Sequence, residues 1–192
     1  MKLIDKKIDF EKFAKVFKIT QNCEKNIEVS NFNNIYLNEI INKFGSTSFN
    51  NGLFRIYNAK EVRHNTKKVE EAFPNAKNKI ISFGRDWINR EFAVKIEEPY
   101  HIFQFDIDFN DVLDIPVDLK TFFEEEVIEY TNSLFAEYFF YQWQKSTQNR
   151  TLLCNECVTY KIPMSLGGKD EVNNLEICDS DISWEINSQL KF

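Results

Sequence analysis

A chain of 192 residues with 43% apolar content can bury a sizeable core, and its 19 Phe mean that large rings rather than small aliphatics fill it. The formal net charge of -6 argues against a surface that tracks nucleic-acid phosphates, which needs concentrated Lys and Arg, and points to a basic partner. Four scattered cysteines (Cys23, Cys154, Cys157, Cys178) are too few for a disulfide framework, no run has the roughly 20 apolar residues of a membrane span, and Met1 to Phe17 lacks the apolar core of a signal peptide. These features predict a protein of a reducing, cytoplasmic compartment.

In chain order, Asp9 is placed to cap a helix whose apolar positions Phe10, Phe13, Ala14 and Phe17 recur at helical spacing. A polar stretch from Gln21 to Asn34 follows. Leu37, Ile40, Ile41 and Phe44 then form the stripe of a second helix, closed by Gly45 at a C-cap position. Asn50-Asn51-Gly52 predicts a turn and Leu53 to Tyr57 a strand; Asn58 caps a helix lined by Val62, Thr66, Val69 and Phe73, which Pro74 stops. From Lys79 to Asp108 the chain reads as antiparallel strands: Ile80 to Phe83, Glu91 to Ile96 and His101 to Ile107, with Gly84-Arg85-Asp86 and Glu98-Pro99 as the links.

Asp118 opens a helical region to about Gln144 with a break near Thr131-Asn132. Val158 to Met164 is predicted as a strand, Gly167-Gly168 as a turn and Leu175 to Cys178 as a strand. Asp181 then caps a closing helix in which Ile182, Ile186 and Leu190 share a face. There is no internal repeat or low-complexity linker, and the weak boundary between two parts falls between Phe73 and Lys79.

Catalysis needs a nucleophile, a base and an orienting group that can meet, and no such set is legible. His64 and His101 read as surface or edge residues. Cys154-x-x-Cys157 has metal-ligand spacing but lacks a second pair, so two thiols at the entry of a strand explain it better than zinc. Gly167-Gly168-Lys169-Asp170 fails the P-loop spacing and places an acid where phosphate would sit. Glu124, Glu125 and Glu126 follow the Asp118 cap, where the helix dipole favours negative charge, and point in different directions. Asp106, Asp108, Asp111 and Asp114 alternate with apolar residues at a strand end without the glycine of a calcium loop. The acidic residues Asp106, Asp108, Asp111 and Glu124 to Glu126 are the candidates for partner contact, and no catalytic residue, metal or cofactor is expected.

Two segments carry a family resemblance: Ser82-Phe83-Gly84-Arg85-Asp86-Trp87 with Arg90-Glu91-Phe92-Ala93, and the run from Val158 to Glu176, with its Y-K-x-P, L-G-G-x-D and N-L-E elements and the closing W-x-I-x-x-Q-L. They resemble the C-terminal domain of the type VI secretion DNase-immunity family. The acidic, aromatic segment ending F-A-E-Y-F-F-Y-Q-W is also similar to it. L-N-E-I-I-N-K-F-G and N-N-G-L-F-R-I-Y look like the GAD-related domain that precedes it, and the whole is similar to the wider SUKH immunity superfamily.

The resemblance implies an α+β, SUKH-like antiparallel meander flanked by helices. It would have a GAD-related part over 1–75 and an immunity-type domain over 76–192, joined in one compact body with a helical N-terminal part. It implies a cytoplasmic, non-catalytic protein that covers a cognate toxin, often a DNase, with no cofactor, no direct nucleic-acid contact and no membrane. Gly84, Gly167 and Gly168 would serve turns, Pro163 an edge or bulge, and Trp87 and Trp184 would be buried anchors; Arg85, Asp86 and Asp170 belong to the same scaffold motifs. A regulatory or scaffolding protein-binding module is the alternative reading of the same residues.

Overall fold

The computed structural model describes residues 9–23, 31–98 and 100–190. Seven short segments of β-favouring residues pair in chain order as one antiparallel meander. They are β1 (Ile19–Asn22), β2 (Thr47–Phe49), β3 (Phe54–Ile56), β4 (Ile80–Asp86), β5 (Glu91–Lys95), β6 (Ile102–Asp106) and β7 (Asp111–Ile115). The fold is therefore α+β, an antiparallel meander flanked by helices. Phe54 pairs with Asp86 across β3 and β4, so the 1–75 and 76–192 parts share one sheet. A second pair, β8 (Glu156–Tyr160) and β9 (Leu175–Asp179), is tied to the meander where Val158 N donates to Trp87 O at 2.8 Å.

The period of two sends Phe92, Val94 and Ile102 to one face of the sheet and Ala93, Phe103 and Phe105 to the other. The first face is covered by α1 (Glu11–Val16), α2 (Ile35–Phe44) and a run made of α4 (Leu119–Thr121), a π-helical turn (Phe122–Glu126), α5 (Val127–Glu129), α6 (Thr131–Phe135) and α7 (Glu137–Ser146). Here rings meet rings: Phe13 stacks on Phe17 at 4.7 Å and meets Phe49 and Phe123 edge-on, both at 5.1 Å. The second face packs against α3 (Ala59–Ala72) through Val69 and Phe73, and against α8 (Ser180–Gln189) through Trp184.

Several local expectations are corrected. Gly84 is not in a turn: β4 runs through Arg85 and Asp86, and Gly84 sits at a bulge where a Cβ would lie 2.4 Å from Arg55 O. The link is instead residues 87–90, with Asn89 at a φ of 71°. Asp9 does not cap α1 but pairs with Lys43 at 2.5 Å. Gly45 ends α2 with a φ of -57°, not left-handed; Ser46 takes the positive φ, and Gly45 is required because a Cβ would come 2.4 Å from Ile41 O. β8 stops at Tyr160, leaving Pro163 in the following loop, where its carbonyl accepts from Leu166 and Gly168 N. The helical break expected near Thr131-Asn132 is present at the adjacent Tyr130, and a second, unexpected one follows at the left-handed Ala136. Strands β1, β2 and β7 were not expected: the first runs into the start of the polar stretch, the second is three residues long and the third is charged. Pro99 of the expected Glu98-Pro99 link, residues 24–30 of the polar stretch and residues 1–8 of the N-terminal reading lie outside the described residues.

The motif Gly84-Arg85-Asp86-Trp87 now has a physical content. Arg85, buried in β4, donates to the carbonyls of Cys154 (3.0 Å) and Glu156 (2.9 Å), and its cross-strand neighbour Arg55 donates to Cys154 O at 2.6 Å. Asp86 accepts from Ile88 N, Arg90 N and Arg90 Nε, which fixes the 87–90 link. Trp87 Nε1 donates to Phe135 O at 2.7 Å, while Arg90 and Gln104 both donate to Leu134 O. These three side chains satisfy carbonyls that the break at Ala136 leaves without a helical partner.

Candidate interaction surface

The closing helix has its polarity reversed. Its N-cap is Asp179, whose carboxylate accepts from Asp181 N and Ile182 N, so the helix starts two residues before the expected Asp181 cap. The inward positions, spaced i, i+3, i+4, i+7, are Ser180, Ser183, Trp184 and Asn187. Trp184 supplies the apolar contact, 2% exposed against Phe73, and Lys68 Nζ lies 5.1 Å over its ring. Ile182 and Ile186, expected to share a face, do share one, and it is turned to solvent: they are 54% and 51% exposed. With Asp181, Glu185 and Gln189 they form an outer face of two isoleucines interleaved with carboxylates.

That face borders a cavity of about 460 Å³ between α3 and α8, lined by His64, Lys67, Lys68, Asp181, Trp184 and Glu185 among others. Its ion pairs are Lys67 to Glu71 at 3.6 Å, His64 to Asp181 at 3.3 Å and Lys68 to both Asp181 (3.3 Å) and the buried Glu91 (3.1 Å). Glu185 has no ionic partner among the described residues. An outer face of this kind, apolar at its centre and acidic at its margin, fits a partner groove edged by Lys or Arg.

The six acidic residues expected to meet a partner are divided by the fold. Glu124 turns inward and caps α1, accepting from Lys12 N (3.1 Å) and Phe13 N (3.2 Å), which explains why Asp9 is not needed there. Glu125, in the same π-helical turn, is exposed, and Glu126 is half-buried. Asp106 ends β6, half-buried, and accepts from the backbone of Asp108 and Phe109. Asp111 is exposed at the start of β7 and bonds Val112 N. Asp108 lies in the hairpin between them, with its Oδ1 buried and unpartnered among the described residues.

Asp86, Asp106 and Asp108 influence one another near a single arginine, Arg90. Burial pushes Asp86 up to about 6, against the pull of Arg90, and raises Asp106 for the same reason. Burial, then the charges of Asp106 and Asp86, push Asp108 up to about 7. This cluster is a feature of the hairpin's interior, not an acidic rim.

Among the remaining motif residues, Gly167 is left-handed with a φ of 85°, Gly168 has no room for a Cβ beside Ile162 O, and Asp170 accepts from Tyr160 OH at 2.8 Å. His101 bonds Asp114 at 2.8 Å. The cysteines depart from the single thiol pair expected of Cys154-x-x-Cys157. Cys154 is disulfide-bonded to Cys23, with Cα atoms 6.0 Å apart, while Cys157 lies opposite Cys178 across β8 and β9. Burial pushes Cys157 up to about 12, a poor nucleophile. Among the described residues no three His, Cys, Asp or Glu side chains gather in a metal-holding group, and no helix is long and apolar enough to cross a membrane. The outward isoleucines could not be told from a core stripe by sequence, because Ile182 and Ile186 have the same spacing as Ser183 and Asn187.

No protein-family model and no curated protein matches the chain. Among solved structures, the crystal structure of Atu4351 from Agrobacterium tumefaciens is similar, with a TM-score of 0.68 at 18% identity, covering 94% of this chain and 89% of that one. At that identity the likeness is one of fold.

Proposed function

We propose that this protein is an immunity protein that binds and neutralises a cognate bacterial toxin, a DNase in the family it resembles, by direct contact, without catalysis or cofactor. The single observation that carries the reading is the reversed closing helix. Burying Ser183 and Asn187 while presenting Ile182 and Ile186 side by side to water makes an apolar strip on this face that a partner can cover, for a gain of at most roughly 1.5–3 kcal/mol per isoleucine. The carboxylates beside them and the chain's net charge of -6 suit a basic partner. Most of the motifs that resemble the immunity family fall in the scaffold that holds this helix; the closing W-x-I-x-x-Q-L also reaches its outer face through Ile186 and Gln189.

Co-expression with the product of the toxin gene adjacent to its own tests the proposal. Growth is rescued and the two proteins co-elute on gel filtration if it is right; toxicity that persists with no complex rejects it. The SUKH-like assignment and the cytoplasmic placement are parts of the same proposal. The Cys23–Cys154 disulfide runs against the reducing compartment expected from sequence, so placement has its own test there: a cytoplasmic chain carries the pair reduced and open to alkylation in intact cells. A pair found fully oxidised there rejects the cytoplasm.

A further inference from the structure

The second face of the sheet is covered by α3 and α8 but left open at the corner where β5, β6 and β7 meet the end of α3. The register places Phe103 and Phe105 of β6, Val112 of β7 and Lys95 of β5 on this face, and Phe73 closes it from α3. Together they form a cup of about 500 Å³, within the size of small-molecule sites. Its floor is aromatic: Phe73 and Phe105 lie 5.0 Å apart and Phe103 and Phe105 6.1 Å apart, with Phe103 only half-buried and Val112 41% exposed.

The polar groups of the cup have one sign. Lys79 and Lys95 stand at its rim with Asn75 and Asn110, and no carboxylate is among the described residues that line it, although the chain carries 30 acidic against 24 basic side chains. Lys95 is held by Glu98 at 2.6 Å from outside the cup, whereas Lys79 is exposed and has no ionic partner among the described residues. An aromatic floor with an uncommitted ammonium at its edge matches a molecule whose apolar body ends in one anion.

We propose that this cup binds a small amphiphile with a single anionic head, an alkyl or aryl carboxylate, its body on Phe73, Phe103 and Phe105 and its head at Lys79. The site is distinct from the outer face of α8 and does not depend on the toxin reading.

Titrating the full chain with decanoate, decanol and decyltrimethylammonium by calorimetry tests it. Decanoate saturates one site per chain and binds about tenfold or more tighter than the cationic homologue. Lys79→Glu, an exposed rim substitution, weakens decanoate several-fold and leaves decanol unchanged. Phe103→Asp abolishes binding of all three, with circular dichroism reporting whether the fold persists; if it does not, Lys79→Glu alone decides. Equal affinity for the three heads, no saturation in the millimolar range, or decanoate binding indifferent to Lys79→Glu overturns the proposal.

Discussion

The two faces of the sheet are built on opposite principles. On the first, Phe13, Phe17, Phe54, Phe92 and Phe123 pack ring against ring, and the buried hydrogen bonds of Gln104, Arg90 and Trp87 lie at the margin with α6. On the second, the buried Glu91 accepts from Tyr57 OH and Ser82 Oγ, both at 2.7 Å, and pairs with Lys68, while Trp184 Nε1 is buried without a partner among the described residues. An aromatic layer supplies stability with little directional demand; a hydrogen-bonded layer fixes the position of what it holds, at the cost of desolvating its members. The rigid aromatic side is the foundation, and the polar side sets the orientation of α8 and thus of the isoleucines it presents.

If that contrast is right, the largest loss comes from the aromatic side. Phe13→Ala, which leaves a cavity among four rings, lowers stability by about 3–5 kcal/mol in urea unfolding, and a loss under about 1 would show that the layer is loosely packed. On the polar side, Lys68→Met leaves Glu91 buried with only its two hydroxyl donors and costs about 3 kcal/mol; a neutral outcome would mean the ion pair is dispensable. Reducing the Cys23–Cys154 bond, which closes 131 residues, lowers stability by about 2–4 kcal/mol, measured by the same unfolding with and without reductant.

The smallest effect is a gain. The Asp108 carboxyl sits at about 7 when folded against an ordinary 3.8, so between those pH values the folded chain holds a proton that the unfolded chain has released. Stability from this group therefore falls as pH rises through that window. Asp108→Asn raises stability by roughly 1–3 kcal/mol at pH about 8 and changes little at pH about 4. A variant equally affected at both values would remove Asp108 as the titrating group.

Much of the architecture was legible because period and caps agree: Asn58 with Glu61 forms a capping box at α3, and Leu37, Ile40, Ile41 and Phe44 are buried along α2. The outer strands escaped because β2 is too short for a period and β7 exposes Val112 and Leu113 between aspartates. Of the acidic candidates, Glu125 and Asp111 are exposed while others turn inward for reasons the sequence does not show. Glu124 serves a helix 112 residues earlier in the chain, and Asp106 and Asp108 bend inward at a hairpin, relations that no local pattern encodes. For α8 the sequence shows that two isoleucines share a side, but not which side the sheet will claim.

One titration tests the outward placement of Ile182 and Ile186. Binding of the toxin product to the wild-type chain and to an Ile182→Glu, Ile186→Glu variant is measured by calorimetry, with unfolding midpoints recorded for both. The outward placement predicts midpoints shifted by less than about 0.5 kcal/mol per site and affinity weakened about tenfold or more. Unchanged affinity, or a variant that unfolds because those positions were core after all, would contradict it.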